Sequence, residues 1–204
     1  MYSEEEVWEQ IRTEDLWYMD KLILSKKLGY NCGPVGIDTL NSGWYIVRPC
    51  VNAMGLGLGA QKVWIEKDTD HLPVGHFWCE WFEGDHISVD YEYGIQDLAV
   101  IGLRKGKDLT RWDQWAQIYK IIPYPQILEP LRSKYRWINC EFIGDKLIEI
   151  HLRRNPDFKW GNTHFIPVWE RTLFDRDNPN WEYIDYPDVN GRIGAWVYPP
   201  SKKP

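Results

Sequence analysis

Hydrophobic and polar residues alternate strictly over residues 147–153 of this chain. A period of two is typical of a β-strand with one face against a core and the other open to solvent or ligand. The polar face carries a carboxylate, an imidazole and a guanidinium, from Glu149, His151 and Arg153. The apolar face is predicted to comprise Ile148, Ile150 and Leu152. Side chains of these three polar kinds can together hold a phosphate group and a metal ion.

The same periodicity predicts the other strands of the chain. They run over residues 44–48, 61–65, 75–82, 86–93, 96–104 and 137–142. Capping residues and apolar residues at helical spacing predict helices over 3–11, 13–28, 110–122 and 125–135. The last 45 residues are expected to be loops with a final hairpin that turns at Asn190-Gly191. Most strands follow one another as hairpins, so the predicted fold class is α+β with antiparallel sheets.

The length of 204 residues allows one large domain or two small lobes that share a site. A net charge of −6 argues against general nucleic-acid binding, although a local basic pocket for a phosphorylated ligand remains compatible with it. The N-terminus lacks a signal-peptide core, and no apolar run approaches 18 residues, so no membrane span is expected. The four cysteines form no C-x-x-C motif and are expected to be free thiols in a reducing, cytoplasmic setting.

A glycine-rich segment follows the strand 44–48, which ends in Arg48-Pro49. Glycines at every second position between residues 55 and 59 would let backbone N–H groups approach an anion closely. Arg48 directly before this loop favours a phosphate as that anion. An ordinary flexible hairpin loop would have the same glycine content, and the pattern matches neither common phosphate-binding motif.

The two strands 137–142 and 146–153 are predicted to form a hairpin near Gly144-Asp145. A three-residue loop would place Glu141 opposite Glu149, whereas a two-residue loop would place Glu141 opposite Ile148. Two facing carboxylates are destabilising unless a cation neutralises them, and oxygen ligands suit Mg²⁺. The alternative is an exposed polar strand face without a ligand. The aromatic hairpin 77–90 could likewise pack in a core or offer backbone groups and apolar walls to an adenine ring.

Taken together and in this order, these segments resemble the ATP-grasp family. Ile46-Val47-Arg48-Pro49 and the following glycine loop resemble the family's phosphate-binding strand and loop, in a form most similar to the carbamoyl phosphate synthetase branch. Residues 80–90 (EWFEGDHISVD) resemble its hinge, and residues 149–153 (EIHLR) resemble its metal-binding signature E-[IV]-N-x-R. Asp20-Lys21 before a helix resembles the pair that opens its first subdomain. The match covers roughly residues 20–155.

The resemblance implies an ATP-grasp fold with two α+β lobes, antiparallel sheets and a nucleotide site between the lobes. It divides a single domain of residues 1–204 into a first lobe (20–93), a second lobe with the metal site (94–160) and a C-terminal extension (161–204). The residues implied to bind ATP are Lys21, Arg48, Met54, Gly55, Gly57, Gly59, Glu80, Trp81, Phe82 and His86. Glu141, Glu149 and His151 would hold Mg²⁺, and Arg153 and Arg104 would steady the transferring phosphoryl group.

The implied activity is an ATP-dependent ligase that joins a small-molecule or peptide carboxylate to an amine or thiol through an acyl phosphate. Two alternatives are a kinase that phosphorylates a hydroxyl and a degenerate nucleotide-binding module. His86 and His151 depart from the family pattern, and His151 in place of an asparagine suggests a site that tolerates Mn²⁺. Only about twenty residues precede Asp20, so the acceptor site is expected to come from the C-terminal segment, from a second subunit of a homo-oligomer or from a partner protein.

Overall fold

The computed structural model describes residues 4–51, 57–170, 180–188 and 190–199. Within these ranges the chain has two short α-helices, α1 (Glu4–Gln10) and α2 (Lys21–Lys27). Three 3-10 helices cover Thr13–Met19, Gln126–Leu131 and Pro156–Phe158. The remaining regular structure is β-strand. No helix among these residues is both long enough and apolar enough to traverse a membrane.

The strands form two sheets that are antiparallel throughout the described pairings. The smaller sheet has the order β1-β4-β2-β3 and comprises β1 (Cys32–Pro34), β2 (Gly43–Pro49), β3 (Gln61–Ile65) and β4 (His76–Glu80). The larger sheet has the order β11-β12-β10-β7-β6-β5-β8-β9. Its strands are β5 (His86–Glu92), β6 (Ile95–Leu103), β7 (Gln114–Gln117), β8 (Trp137–Ile143), β9 (Lys146–His151), β10 (His164–Val168), β11 (Glu182–Asp185) and β12 (Gly194–Tyr198).

The helix predicted over residues 13–28 is interrupted at Asp20. The backbone of Asp20 is extended, and its side chain accepts a hydrogen bond of 2.9 Å from the backbone N–H of Ile23. An aspartate in this conformation is a strong N-cap, so a 3-10 helix ends before it and α2 begins after it at Lys21. The break fixes the position of Lys21 at the start of α2, where its backbone N–H donates to the carbonyl of Cys50.

The helix predicted over residues 110–122 is wrong. This stretch contains β7, which pairs with β6 and β10 inside the larger sheet. Tertiary packing outweighs the helical spacing of its apolar residues, because Trp115 lies opposite Gly102, and the rings of Trp112 and Trp115 occupy the space that a side chain at Gly102 would need. The helix predicted over 125–135 is a shorter 3-10 helix.

The main hydrophobic core lies between the helices and one face of β5, β8 and β9. Tyr18 and Leu24 come from the helical side, while Val89, Ile138 and Ile150 come from the sheet, and all five are buried. Burial of this apolar area holds the N-terminal helices against the larger sheet. The opposite face of the same strands is polar and looks toward the smaller sheet.

The strands β5 and β10–β12 belong to the larger sheet, although the sequence division assigned residues 20–93 to a first lobe and residues 161–204 to a separate extension. The final hairpin is present, since β11 and β12 pair across a turn that includes Asn190-Gly191. Along the chain, β4 is the last strand of the smaller sheet, and it ends at Glu80. A cleft separates the inner face of the smaller sheet from the polar face of the larger sheet.

Candidate active site

The cleft between the two sheets has a volume of about 1130 Å³, which is large enough for a nucleotide and a second small molecule. Both sheets and the loops between them contribute to its walls. The residues named from the sequence that line it are Lys21, Arg48, Gly57, Trp81, Phe82, His86, Arg104, Glu141, Glu149, His151 and Arg153. Among the described residues, Glu80 and Gly59 lie outside this lining, while Met54 and Gly55 lie outside the described part of the chain.

The hairpin of β8 and β9 places Glu141 directly opposite Glu149 on the floor of the cleft. The turn has two residues, because Ile143 pairs with Lys146. A regular hairpin with this turn would place Glu141 opposite Ile148. A β-bulge between these positions shifts the register by one residue and restores the pairing of the two carboxylates. The predicted pairing is therefore confirmed, but the three-residue loop from which it followed is wrong.

The bulge also changes the direction of Ile148. Leu147, Ile150 and Leu152 pack in the main core, whereas Ile148 lines the cleft together with Glu149. The strict alternation predicted for this strand is thus broken at one position. A bulge leaves backbone groups outside the strand ladder, and the carbonyl of Ile148 accepts a hydrogen bond of 2.8 Å from Arg48 Nη2.

Two basic side chains from the smaller sheet and α2 surround Glu149. Arg48 Nη1 lies 3.8 Å from Glu149 Oε2, and Lys21 Nζ lies 3.7 Å from Glu149 Oε1. Lys21 is only 3% exposed, and burial lowers the pKa of its ammonium group while the charge of Glu149 opposes that shift. Two buried cations beside one carboxylate leave a net positive charge, which favours an anion such as phosphate.

Two histidines complete the cluster on the side of Glu141. His86 Nε2 lies 3.0 Å from Glu141 Oε2, and His151 Nε2 lies 3.9 Å from Glu141 Oε1 and 3.5 Å from Glu149 Oε1. Burial opposes ionisation of Glu141, yet the hydrogen bond from His86 and the charges of His86, His151 and Arg153 together lower its pKa to about 2. The rings of Trp112 and Trp115 enclose His86 edge to face.

The four basic residues change the electrostatic argument made from the sequence. Lys21, Arg48, His86 and His151 already stand beside Glu141 and Glu149, so the closeness of the carboxylates does not by itself require a metal ion. Among the described residues, no three His, Cys, Asp or Glu side chains converge in a geometry that could hold a metal. Mg²⁺ is commonly held by one or two carboxylates plus water and substrate phosphates, and the two glutamates fit that donor set.

The segment from Glu80 to Phe82 connects the smaller sheet to β5 at one end of the cleft. The carboxylate of Glu80 accepts a hydrogen bond of 2.9 Å from the backbone N–H of Asn31, which fixes β1 against β4. Trp81 and Phe82 line the cleft, and Lys62 Nζ lies 4.1 Å from the centre of the Trp81 ring. The side chain of Glu80 is thus a structural tie, while the two aromatic residues offer a flat apolar wall.

The two arginines named for phosphoryl transfer both reach the cleft. Arg104 Nη1 donates to the carbonyl of Leu109 at 3.0 Å, and its guanidinium lies 4.6 Å from the centre of a ring of Trp112. Arg153 Nη1 donates to the carbonyl of Arg154 at 3.1 Å. A guanidinium has five N–H donors, so an arginine that donates to a backbone carbonyl can also bind an anionic ligand.

A buried polar network lies beside the carboxylates, and it was not predicted from the sequence. Asn139 Nδ2 donates to Ser88 Oγ at 2.8 Å and to Asp90 Oδ1 at 2.9 Å, and the backbone N–H of Asn155 also donates to Asp90 Oδ1. Burial raises the pKa of Asp90, although these hydrogen bonds oppose the shift. The signal was present in the sequence, because Ser88 and Asp90 share the polar face of one alternating strand.

A second charged group in the cleft comprises Asp157, Asp188 and Arg192, of which Asp188 and Arg192 were not predicted from the sequence. Arg192 is buried, and its guanidinium contacts Asp157 at 3.1 Å and Asp188 at 2.9 Å. All three residues line the cleft together with Asn155. Arg192 follows the Asn190-Gly191 turn, and only the fold brings it to Asp157. The C-terminal segment therefore contributes to the walls of the same cleft.

The comparisons with known proteins agree with this architecture. No protein-family model and no curated protein matches the sequence. A crystal structure of an ATP-grasp superfamily protein from Archaeoglobus fulgidus matches with a TM-score of 0.51 and 15% identity, over 89% of this chain and 64% of that one. This chain has the ATP-grasp fold, which confirms the resemblance found in the sequence and the α+β class with antiparallel sheets.

Two further structures are more distant. The ATP-grasp ligase PsnB, complexed with a minimal precursor, has a TM-score of 0.46 and 13% identity over 71% of this chain and 53% of its own. D-alanine–D-alanine ligase from Bacillus anthracis, complexed with ATP, has a TM-score of 0.40 and 13% identity over 66% of this chain and 55% of its own. The chain thus spans less than two thirds of each structure, and its likeness to the carbamoyl phosphate synthetase branch stays a prediction.

Proposed function

We propose that this chain is an ATP-dependent ligase that activates a carboxylate as an acyl phosphate and joins it to an amine or a thiol. The observation that carries the proposal is the pair Glu141 and Glu149, which face each other in the cleft beside the buried cations Lys21 and Arg48. Paired carboxylates and cations at one point suit a metal–phosphate complex better than an uncharged ligand. The ATP-grasp fold supports ATP as the source of that phosphate.

ATP would lie along the cleft with its adenine against Trp81 and Phe82 and its phosphates toward Lys21 and Arg48. Gly57 of the glycine-rich segment lines the cleft and has a positive φ of 64°, so its backbone can approach a phosphate without a clash from a side chain. Arg48 belongs to β2 of the smaller sheet, and Lys21 begins α2. The pose keeps the phosphates next to the facing carboxylates.

Glu141 and Glu149 would hold Mg²⁺ together with water and phosphate oxygens, and His151 lies beside them with its Nε2 3.5 Å from Glu149 Oε1. When bound there, the ion supplies positive charge to the phosphate oxygens. Arg153 and Arg104, which line the same cleft, would add their charge at the transferring phosphoryl group. Phosphoryl transfer depends mostly on positioning and on charge neutralisation, which is the chemistry that this set of side chains can provide.

In the first step, a carboxylate oxygen of the substrate attacks the terminal phosphorus of ATP, and ADP leaves. In the second, the amine or thiol attacks the acyl carbon, and inorganic phosphate leaves. The acceptor would bind near Asn155, Asp157 and Arg192, because these polar groups line the end of the cleft next to Arg153. Their presence supports the C-terminal segment as the source of the acceptor site.

The proposal is tested by measuring ADP release with a panel of carboxylates in the presence of hydroxylamine, Mg²⁺ and ATP. Hydroxylamine converts an acyl phosphate into a hydroxamate, whereas a kinase would yield a stable phosphate ester and no hydroxamate. We expect hydroxamate from the wild-type protein and none from Glu149→Gln. Glu92→Gln is the matched control, since Glu92 lies on β5 outside the cleft lining and pairs with Arg136. Equal activity of Glu149→Gln and wild type would contradict the metal assignment.

A second candidate is a module that binds a nucleotide without turning it over. The contacts of Lys21, Arg48, His86 and His151 with the two carboxylates favour it, because a cluster that neutralises itself needs no metal ion. Calorimetric titration of ATP, together with a measurement of ADP release, distinguishes this module from the proposed ligase. A folded protein that binds ATP equally well with Mg²⁺ and with EDTA, and that yields no ADP, would support the non-catalytic module.

A further inference from the structure

Two cysteines on adjacent strands of the smaller sheet lie opposite each other. Cys32 on β1 and Cys79 on β4 are directly opposite in the register. The neighbouring pair is bonded through the backbone, since the N–H of Glu80 donates to the carbonyl of Asn31 at 2.9 Å. Bonded and non-bonded pairs alternate in an antiparallel ladder, so the cysteines form a non-bonded pair. Such pairs have the closer Cα atoms, about 4.5 Å apart, which lies within the range that a disulfide spans.

The neighbouring thiol of Cys79 lowers the pKa of Cys32, burial opposes the shift, and the charge of Lys26 reinforces it. The neighbouring thiol of Cys32 and burial raise the pKa of Cys79. Cys32 is half-buried and Cys79 is buried. One thiol thus has access to solvent and thiolate character, and its neighbour is protected.

We propose that Cys32 and Cys79 are a modification site at which a hydroperoxide forms a reversible disulfide across β1 and β4. The thiolate of Cys32 attacks the peroxide, the O–O bond breaks, and a sulfenic acid and water or an alcohol form. The sulfur of Cys79 then attacks the sulfenic sulfur, its proton joins the departing hydroxide, and water leaves. Two electrons pass from the two sulfurs to the peroxide. A dithiol reductant reverses the reaction by thiol–disulfide exchange.

The proposed disulfide would lie at the wall of the cleft. Cys79 lines the cleft, lies opposite Ile46 of β2, and directly precedes the segment from Glu80 to Phe82. The disulfide would close a loop of about fifty residues that includes β2, β3 and the glycine-rich segment. Its formation can be measured without a nucleotide, so the test is independent of the proposed ligase activity.

The test treats the reduced full-length protein with hydrogen peroxide, quenches it with an alkylating agent and maps the peptides by mass spectrometry without reduction. We expect a peptide pair linked through Cys32 and Cys79 that dithiothreitol separates. The linked form should melt at least about 5 °C higher than the reduced form, because the cross-link restricts the unfolded chain. Both signals should be absent in Cys32→Ser, a change at a half-buried position.

Cys50→Ser is the matched control, because Cys50 is also half-buried but lies in the segment after β2. This variant should form the linked peptide pair at the wild-type rate. The proposal is overturned if the wild-type protein oxidises at Cys32 to a sulfinic acid without a link, or if Cys32 links to Cys50 instead. Either result would show that the register does not bring the two sulfurs into reacting position.

Discussion

Replacement of Arg48 by methionine tests how the bulge in β9 and the cation of β2 work together. Arg48 is 9% exposed, its Nη2 donates to the carbonyl of Ile148 at 2.8 Å, and its Nη1 lies 3.8 Å from Glu149 Oε2. Methionine has a similar length and retains the apolar stem of the side chain. The substitution therefore removes the charge and the hydrogen bond with little change in packing.

The magnitude follows from the contacts. A hydrogen bond to a charged donor contributes about 1.5–3 kcal/mol, and the carbonyl of half-buried Ile148 can recover part of this from water in the cleft. We expect the free energy of unfolding to fall by about 1–2 kcal/mol, which lowers the melting temperature of a chain of this size by roughly 2–8 °C. Loss of a phosphate-binding charge should weaken ATP binding at least about tenfold, equivalent to about 1.4 kcal/mol.

The assay is thermal unfolding of the protein with and without ATP and Mg²⁺, followed by calorimetric titration of ATP. Arg136→Met is the control, since Arg136 forms an exposed ion pair with Glu92 and should contribute little to stability. Arg48→Lys should retain part of the ATP affinity because it keeps the charge but loses the fork of donors. If Arg48→Met bound ATP as tightly as the wild-type protein, the placement of the phosphates beside Arg48 would be refuted.

Two further predictions concern the elements that position the cleft. Gly84→Ala should lower the free energy of unfolding by about 2–4 kcal/mol in denaturant titration, because the φ of Gly84 is +134° and the added Cβ would lie 2.8 Å from the Cα of Gly144. Gly106→Ala is the control and should change the free energy of unfolding by less than about 0.5 kcal/mol, because the nearest atom to a Cβ at Gly106 lies 4.0 Å away. Equal effects of the two substitutions would contradict the argument. Asp20→Ala should lower the free energy of unfolding by about 1 kcal/mol, because it removes the N-cap of α2. Asp20→Asn should retain most of the wild-type stability, since asparagine is also a good N-cap. If Asp20→Asn were as unstable as Asp20→Ala, capping would not be the role of Asp20.

The β8–β9 hairpin illustrates how much of the site the sequence could predict. Alternation placed Glu149 and His151 on a polar face, and the structure confirms that both line the cleft. The sequence pattern did not indicate the bulge at Ile148, whose carbonyl accepts a hydrogen bond from Arg48 of the other sheet. The Glu141–Glu149 pairing was reached from an incorrect loop length, so local turn chemistry alone was insufficient.

Other features depend on contacts between distant parts of the chain. The stretch that contains β7 was predicted as a helix, because Thr110 was taken as its cap. Gly102, which lies opposite Trp115 on the neighbouring strand, is distant from it in the sequence. Arg192 and Asp157 meet only after the C-terminal strands join the larger sheet. Periodicity thus predicts which residues share a strand face, while strand order decides which faces meet.

The measurement that tests the central claim most directly is calorimetric titration of ATP into the wild-type protein and into Glu141→Gln and Glu149→Gln, each with Mg²⁺ and with EDTA. If the facing carboxylates hold a metal–phosphate complex, Mg²⁺ should strengthen ATP binding to the wild-type protein at least about tenfold and should have little effect on either variant. Glu92→Gln should behave as the wild type. ATP binding that is equally tight with and without Mg²⁺ in all four proteins, or absent from the folded wild-type protein, would contradict the account.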